Sequence, residues 1–220
     1  GLVYALQLYF DFSGYSDMAM GLARMFGVRL PVNFDSPLKS RNTGEFWRRW
    51  HITLGRFLRD YVYIPMGGSR RGTTRRFINI YTVMILCGFW HGAGWTFVAF
   101  GALHATFVAA NHVVVIAKKR LGVKPEVGGF PMRAAAWAVT MSAFLLSIIL
   151  FRAESFGSAM LIINELLGIG PENGFGVGLD TTEALAMAAP LLVWCLLAPN
   201  TNAVMSDHHR PIEWKPREEV

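Results

Sequence analysis

Apolar residues along this chain fall into long blocks divided by short polar connections, and the blocks set the elements that the sequence predicts. The first block, Leu2 to Met25, reads as a helix that carries two acids, Asp11 and Asp17. Gly14, Asp17 and Gly21 recur there at helical spacing as a small or polar stripe, which suits close helix packing and turns Asp17 towards protein. The block from Phe77 to Ala117 is long enough to cross a bilayer twice, since one crossing takes roughly 20 apolar residues. Arg133 to Arg152 reads as a single crossing between arginines, and 184–198 as a return helix bent at Pro190, with Asp180 and Glu183 at capping positions. Between these two, "SFGSAMLIINELLG" is a shorter amphipathic segment whose Met160, Ile163, Leu166 and Leu167 suit a membrane surface.

A different pattern occupies the polar stretch after the first block. "VRLPVNFDSPLKSRN" carries two prolines and reads as an extended connection. Asn42 with Glu45 three residues on then resembles a capping pair. Phe46, Trp47, Trp50, Leu54, Phe57, Leu58 and Tyr61 follow at spacings of three and four, with Arg48, Arg49, Arg56 and Arg59 on other faces. One basic, tryptophan-rich amphipathic helix is predicted, lying in the membrane interface with its apolar face down. His51 falls on that apolar stripe with Trp47 and Leu54 and so looks inward. "IPMGG" closes this region and "SRRGTTRR" reads as a solvated basic loop.

Composition agrees with a membrane protein: 53% of residues are hydrophobic, 16% are charged, and mean hydropathy is +0.33. The formal charge of +6 does not point to nucleic acid, because the basic residues cluster beside the apolar blocks. Ten lie between Lys39 and Arg76, against two acids, whereas Glu154 to Glu183 holds five acids and no Lys or Arg. By the positive-inside rule the first region is cytoplasmic and the second faces away. With Lys118 to Arg133 also basic, the Phe77–Ala117 block becomes a hairpin bent at Gly88–Gly94. Its first arm, Phe77 to Trp90, would be only about 21 Å long, which leaves His91 within membrane depth. The chain opens inside an apolar stretch without an initiator methionine or leader, so preceding helices are expected to be missing from it.

The bend "LCGFWHGAGW" therefore sets an imidazole among apolar residues, where an ionisable group is a functional candidate. Such surroundings favour the neutral ring, which can take a proton from a hydroxyl so that the oxygen attacks an acyl group. An imidazole hydrogen-bonded between helices fits the same residues equally well. A transporter or channel component, with Asp11, Asp17 and His91 along a proton path, and a non-catalytic scaffold are further readings. His104, thirteen residues on, would lie on another face of any continuous helix and reads as structural. No HExxH or paired spacing points to a metal, His208 and His209 lie in a polar tail, and Cys87 and Cys195 form no framework.

"FSGYSDMAMGLARMFG", "FWRRWHITLGRFLRDYVYIPMGG", "CGFWHGAGWTFVAFGALH" and "APNT" stand in an order and spacing similar to the membrane-bound O-acyltransferase family, most like its bacterial alginate O-acetylase branch. The resemblance runs from about Tyr4 to Thr201. It implies an all-α polytopic bundle around a catalytic tunnel, with 1–205 the C-terminal part of the acyltransferase domain and 206–220 a polar tail. It also implies that His91 is the catalytic histidine and His51 the second active-site position. Acetyl-CoA or a related carrier would give up an acetyl group on the cytoplasmic face of a bacterial inner membrane. Acetyl-relay proteins would carry that group to an exported polysaccharide. Arg48 and Arg49, with Arg56 and Arg59, could hold a donor phosphate, bind anionic lipid or orient the helix. The D-alanyl transfer branch shares "RRWH" and "WHG", so the acyl group rests on the remaining motifs.

Overall fold

A computed structural model describes residues 1–122, 129–169 and 181–205. Every regular element among them is helical: α1 (Leu2–Met25), α2 (Thr43–Arg49), α3 (Ile52–Leu58), α4 (Gly72–His91), α5 (Trp95–Arg120), α6 (Phe130–Arg152), α7 (Phe156–Leu166), α8 (Thr181–Leu197) and α9 (Thr201–Met205). A 3₁₀ turn at Pro37–Lys39 precedes α2, and a π-helical turn at Arg59–Tyr63 follows α3. Helices α5 and α6 are long and apolar enough to cross a membrane. The tail 206–220, with His208 and His209, and Asp180 lie outside the described residues.

Among the described residues, α4 and α5 form the most closely packed pair of helices. A Cβ on Gly88 would stand 2.2 Å from the Phe97 carbonyl oxygen, and one on Gly101 would stand 2.3 Å from that of Met84. Only glycine permits this approach of two backbones. The chain reverses across Gly92–Gly94, and His91 is the last residue of α4. Next to the hairpin, α1, α6 and α8 enclose an apolar core with the 34–50 segment. Ala5, Leu6, Phe34, Leu38, Phe46, Trp50, Phe144, Ile148 and Ala188 are all buried there.

The amphipathic segment differs from the single helix that its periodicity predicts. Trp50 is extended and His51 takes a left-handed conformation (φ 45°, ψ 54°), so α2 ends and α3 begins between them. Such a conformation is costly for a residue with a Cβ and needs outside support. Asn33 supplies it: its backbone oxygen accepts from Ile52 N at 3.0 Å, and its Oδ1 accepts from Thr53 N at 3.2 Å. Two orphan N–H groups of the first turn of α3 are thus capped by a residue remote in sequence. Asn42 caps α2 as its spacing predicts, accepting from Glu45 N at 2.8 Å.

Three other expectations change. The basic stretch before the hairpin is helical from Gly72, so α4 has 20 residues and is about 30 Å long rather than 21 Å. Shortness of that arm therefore no longer argues that His91 lies within membrane depth. The stripe on α1 packs against no helix among the described residues, because a Cβ on Gly14 or Gly21 would meet nothing within 4 Å. Asp17 instead lines a polar cavity of about 220 Å³ with Ser13, Gly14, Asn200 and Asn202, while Asp11 is exposed. His104, read as structural and on another face from His91, lines the same cavity, because the bend at Gly92–Gly94 turns α5 back beside α4.

Candidate active site

Helices α1 to α6 meet at one small cavity of about 50 Å³, and three histidines line it: His51 from the break before α3, His91 from the end of α4, and His104 from α5. Phe12, Trp47, Trp50, Leu54, Phe100 and Phe151 supply most of the remaining wall. Aromatic edges fix the rings. Phe12 meets His51 edge-on at 4.8 Å between centroids, Phe151 meets His91 at 5.0 Å, and Phe100 meets His104 at 4.6 Å. Trp90 contacts His51 at 6.1 Å and His91 at 4.9 Å, so it bridges the two histidines that the sequence singles out.

Two of the three imidazoles have defined hydrogen-bond partners. Trp47 donates its indole N–H to His104 Nδ1 at 3.3 Å, and His104 is buried, with 3% of its surface exposed. Because an indole N–H can only donate, His104 Nδ1 is the acceptor nitrogen and Nε2 carries the proton. His51 Nδ1 lies 3.1 Å from Asn33 Oδ1 and 3.4 Å from Thr53 Oγ1. Neither Asn33 nor His104 is legible from periodicity as part of the site. The glycines of the bend were the available signal for His104, since a reversed chain can set both residues on one cavity.

The arginines separate into two groups. Arg49 is tied down: it lies 3.1 Å from Glu45 and 3.5 Å from Asp35, and donates to the Asp35 carbonyl at 3.0 Å. Arg48, Arg56 and Arg59 line a groove of about 570 Å³ with Ile52, Tyr63 and His112. Trp47 and Leu54 border both this groove and the histidine cavity, so they form the wall between them. Arg59 also pairs with Asp60 at 2.7 Å, and this exposed contact holds the Asp60 carboxyl below the usual range. No group of three His, Cys, Asp or Glu among the described residues is placed to hold a metal.

The "APNT" segment anchors the approach to the site. Asn200 Nδ2 donates to Asp35 Oδ1 at 2.8 Å and to Ser36 Oγ at 2.9 Å, while Asn202 Nδ2 donates to the Phe34 carbonyl at 2.9 Å. Lys39 reaches the Ala198 carbonyl at 2.7 Å, which fastens the other side. The loop that carries Asn33 is thus stitched to the end of α8 and the start of α9.

A family model described as the membrane-bound O-acyltransferase family matches residues 1–153, which include all three histidines. A peptidoglycan O-acetyltransferase of Helicobacter pylori is 42% identical over 76% of this chain and 31% of its own length. A probable alginate O-acetylase of Pseudomonas fluorescens is 42% identical over 90% of this chain and 38% of its own. A teichoic acid D-alanyltransferase of Streptococcus thermophilus is 32% identical over 68% and 39% respectively. The chain spans about a third of the length of these curated relatives.

Proposed function

Since the chain belongs to the membrane-bound O-acyltransferase family, we propose that the full-length protein transfers acetyl groups from a cytoplasmic donor towards an exported polysaccharide, with the first acceptor hydroxyl acetylated at the three-histidine cavity. One observation carries this reading. The inward face of a basic interfacial segment and the bend of an apolar hairpin bring His51 and His91 to the same small cavity. The two relatives named for O-acetylation, each 42% identical, favour acetyl over other acyl groups.

In the proposed reaction His91 removes the proton from the acceptor hydroxyl. The oxygen attacks the carbonyl carbon of an acetyl thioester, and the tetrahedral intermediate collapses. The C–S bond breaks, an ester forms, and the thiolate leaves with the proton returned by the imidazolium. His104, whose Nε2 carries a proton, can donate to the oxygen on which negative charge develops. Arg48, Arg56 and Arg59 would hold donor phosphates in the groove, leaving the thioester to reach past Trp47 and Leu54. Acetyl-CoA is the proposed donor. The protein is a membrane protein; several crossings of a bacterial inner membrane, and partner proteins that pass the acetyl group onward, complete the proposal.

Membranes containing the full-length protein, its partner proteins and its polymer, supplied with radiolabelled acetyl-CoA, test this. Covalent, alkali-labile label on the polymer is expected. Movement of acetate across the membrane without covalent label would contradict the reading and favour a transporter. Arg48→Ala should raise the KM for acetyl-CoA several-fold with little change in kcat, whereas Arg49→Ala should act through stability.

A further inference from the structure

We infer that Asn33 is a positioning residue that holds His51 in the tautomer with its proton on Nδ1, leaving Nε2 as an unprotonated acceptor in the cavity. The inference rests on the proposed function for its catalytic meaning, though not for its geometry.

The orientation of the Asn33 amide comes first. A carboxamide can be turned by half a rotation without changing its shape, so the hydrogen-bond network has to decide which end is oxygen. The end facing His51 lies 3.2 Å from the backbone nitrogen of Thr53, a group that can only donate. That end is therefore Oδ1. The opposite end agrees: Asn33 Nδ2 lies 3.3 Å from Ser16 Oγ, whose own proton goes to the Phe12 carbonyl at 2.9 Å. Ser16 is left to accept, which only the amide nitrogen can satisfy. Asn33 and Ser16 are each 9% exposed, so water offers little competition.

With the amide fixed, the histidine follows. Thr53 spends its hydroxyl proton on Asn33 Oδ1 at 2.8 Å, so towards His51 its oxygen can only accept. Both neighbours of His51 Nδ1, the amide oxygen at 3.1 Å and the hydroxyl oxygen at 3.4 Å, are acceptors. A bare Nδ1 would face two lone-pair donors without a hydrogen between them. The proton therefore sits on Nδ1, and the hydrogen bond made by one ring nitrogen sets the state of the other.

The same residue thus performs two tasks. Its backbone and side-chain oxygens cap α3 and so permit the left-handed His51, and the side-chain oxygen also selects the tautomer. His51 then presents an acceptor nitrogen, while His104, held by Trp47, keeps its proton on Nε2. A cavity with one ring able to take a hydrogen and another able to give one can bind a hydroxyl and a carbonyl oxygen together.

The test uses full-length protein labelled with ¹⁵N-histidine in nanodiscs at neutral pH, with His51 identified by its loss in His51→Gln. The nitrogen shifts should report Nδ1 protonated and Nε2 bare. Asn33→Leu should move His51 towards the Nε2-protonated form and slow acetyl transfer by about 10-fold, the scale of one lost hydrogen bond to the bound hydroxyl. Asn33→Asp, which keeps the oxygen, should restore both the Nδ1–H signal and most of the rate. Nε2 protonation in the unsubstituted protein would overturn the inference without requiring any variant to fold. So would a slow Asn33→Leu variant with an unchanged tautomer, since Asn33 would then be structural only. Full acetylation by His91→Ala would defeat the proposed function instead and leave the tautomer measurement standing.

Discussion

At the scale of single residues, the site depends on which hydrogen-bond partner each buried ring finds. Trp47→Phe keeps the aromatic edge beside His104 but removes its donor. A buried nitrogen left unpaired costs about 1–3 kcal/mol, so the denaturation midpoint in detergent should fall measurably. Asp60→Asn, by contrast, breaks a fully exposed pair with Arg59 and should leave the midpoint unchanged, as exposed ion pairs do. His51 was legible through the "RRWH" motif, whereas the stripe that also turned it inward assumed one continuous helix, which breaks at Trp50–His51. His104 was not, because a face-counting argument holds only within one helix and the bend at Gly92–Gly94 resets the count. Asn33 was also hidden: it acts across a tertiary contact, and no local spacing encodes a cap supplied from another part of the chain.

Helices, in turn, are set by what their surfaces allow. Gly88→Ala or Gly101→Ala would press a methyl group onto backbone rather than a movable side chain. Either should cost roughly 1–3 kcal/mol or more and separate α4 from α5, read as a lower melting temperature and reduced yield in detergent. Gly21→Ala is the matched control, because that position is open; it should be neutral or stabilise α1 by up to about 1 kcal/mol. Long apolar elements were the most legible: α1 spans the block read from the sequence, and α6 begins within a few residues of the expected Arg133. The amphipathic segment was legible in its faces but not in its continuity. Periodicity continues through Trp50 and His51, while the backbone reverses hand there under the pull of Asn33. The start of α4 was obscured for the opposite reason, since "TTRR" is polar enough to read as loop yet helical once it joins the hairpin.

For the whole molecule, the arrangement of charge gives an expected topology. The basic connections around Ser69 and beyond α5 should share one face of the membrane, and Ser155, after α6, should lie on the other. With Cys87 and Cys195 replaced by serine, single cysteines at Ser69 and Ser155 should label from opposite sides of sealed vesicles; labelling from the same side would contradict the crossing by α6. The fold class and the meeting of His51 with His91 were legible from motifs and charge, whereas the wall of Trp47 and Leu54 between groove and cavity required the packed structure. The most direct measurement is the acetyl content of secreted polymer in cells whose full-length gene carries His91→Ala, with membrane insertion checked in parallel. Loss of acetylation by about 10²-fold or more, in a protein still present in the membrane, is the predicted result. Normal acetylation in that variant would contradict the assignment of chemistry to this cavity.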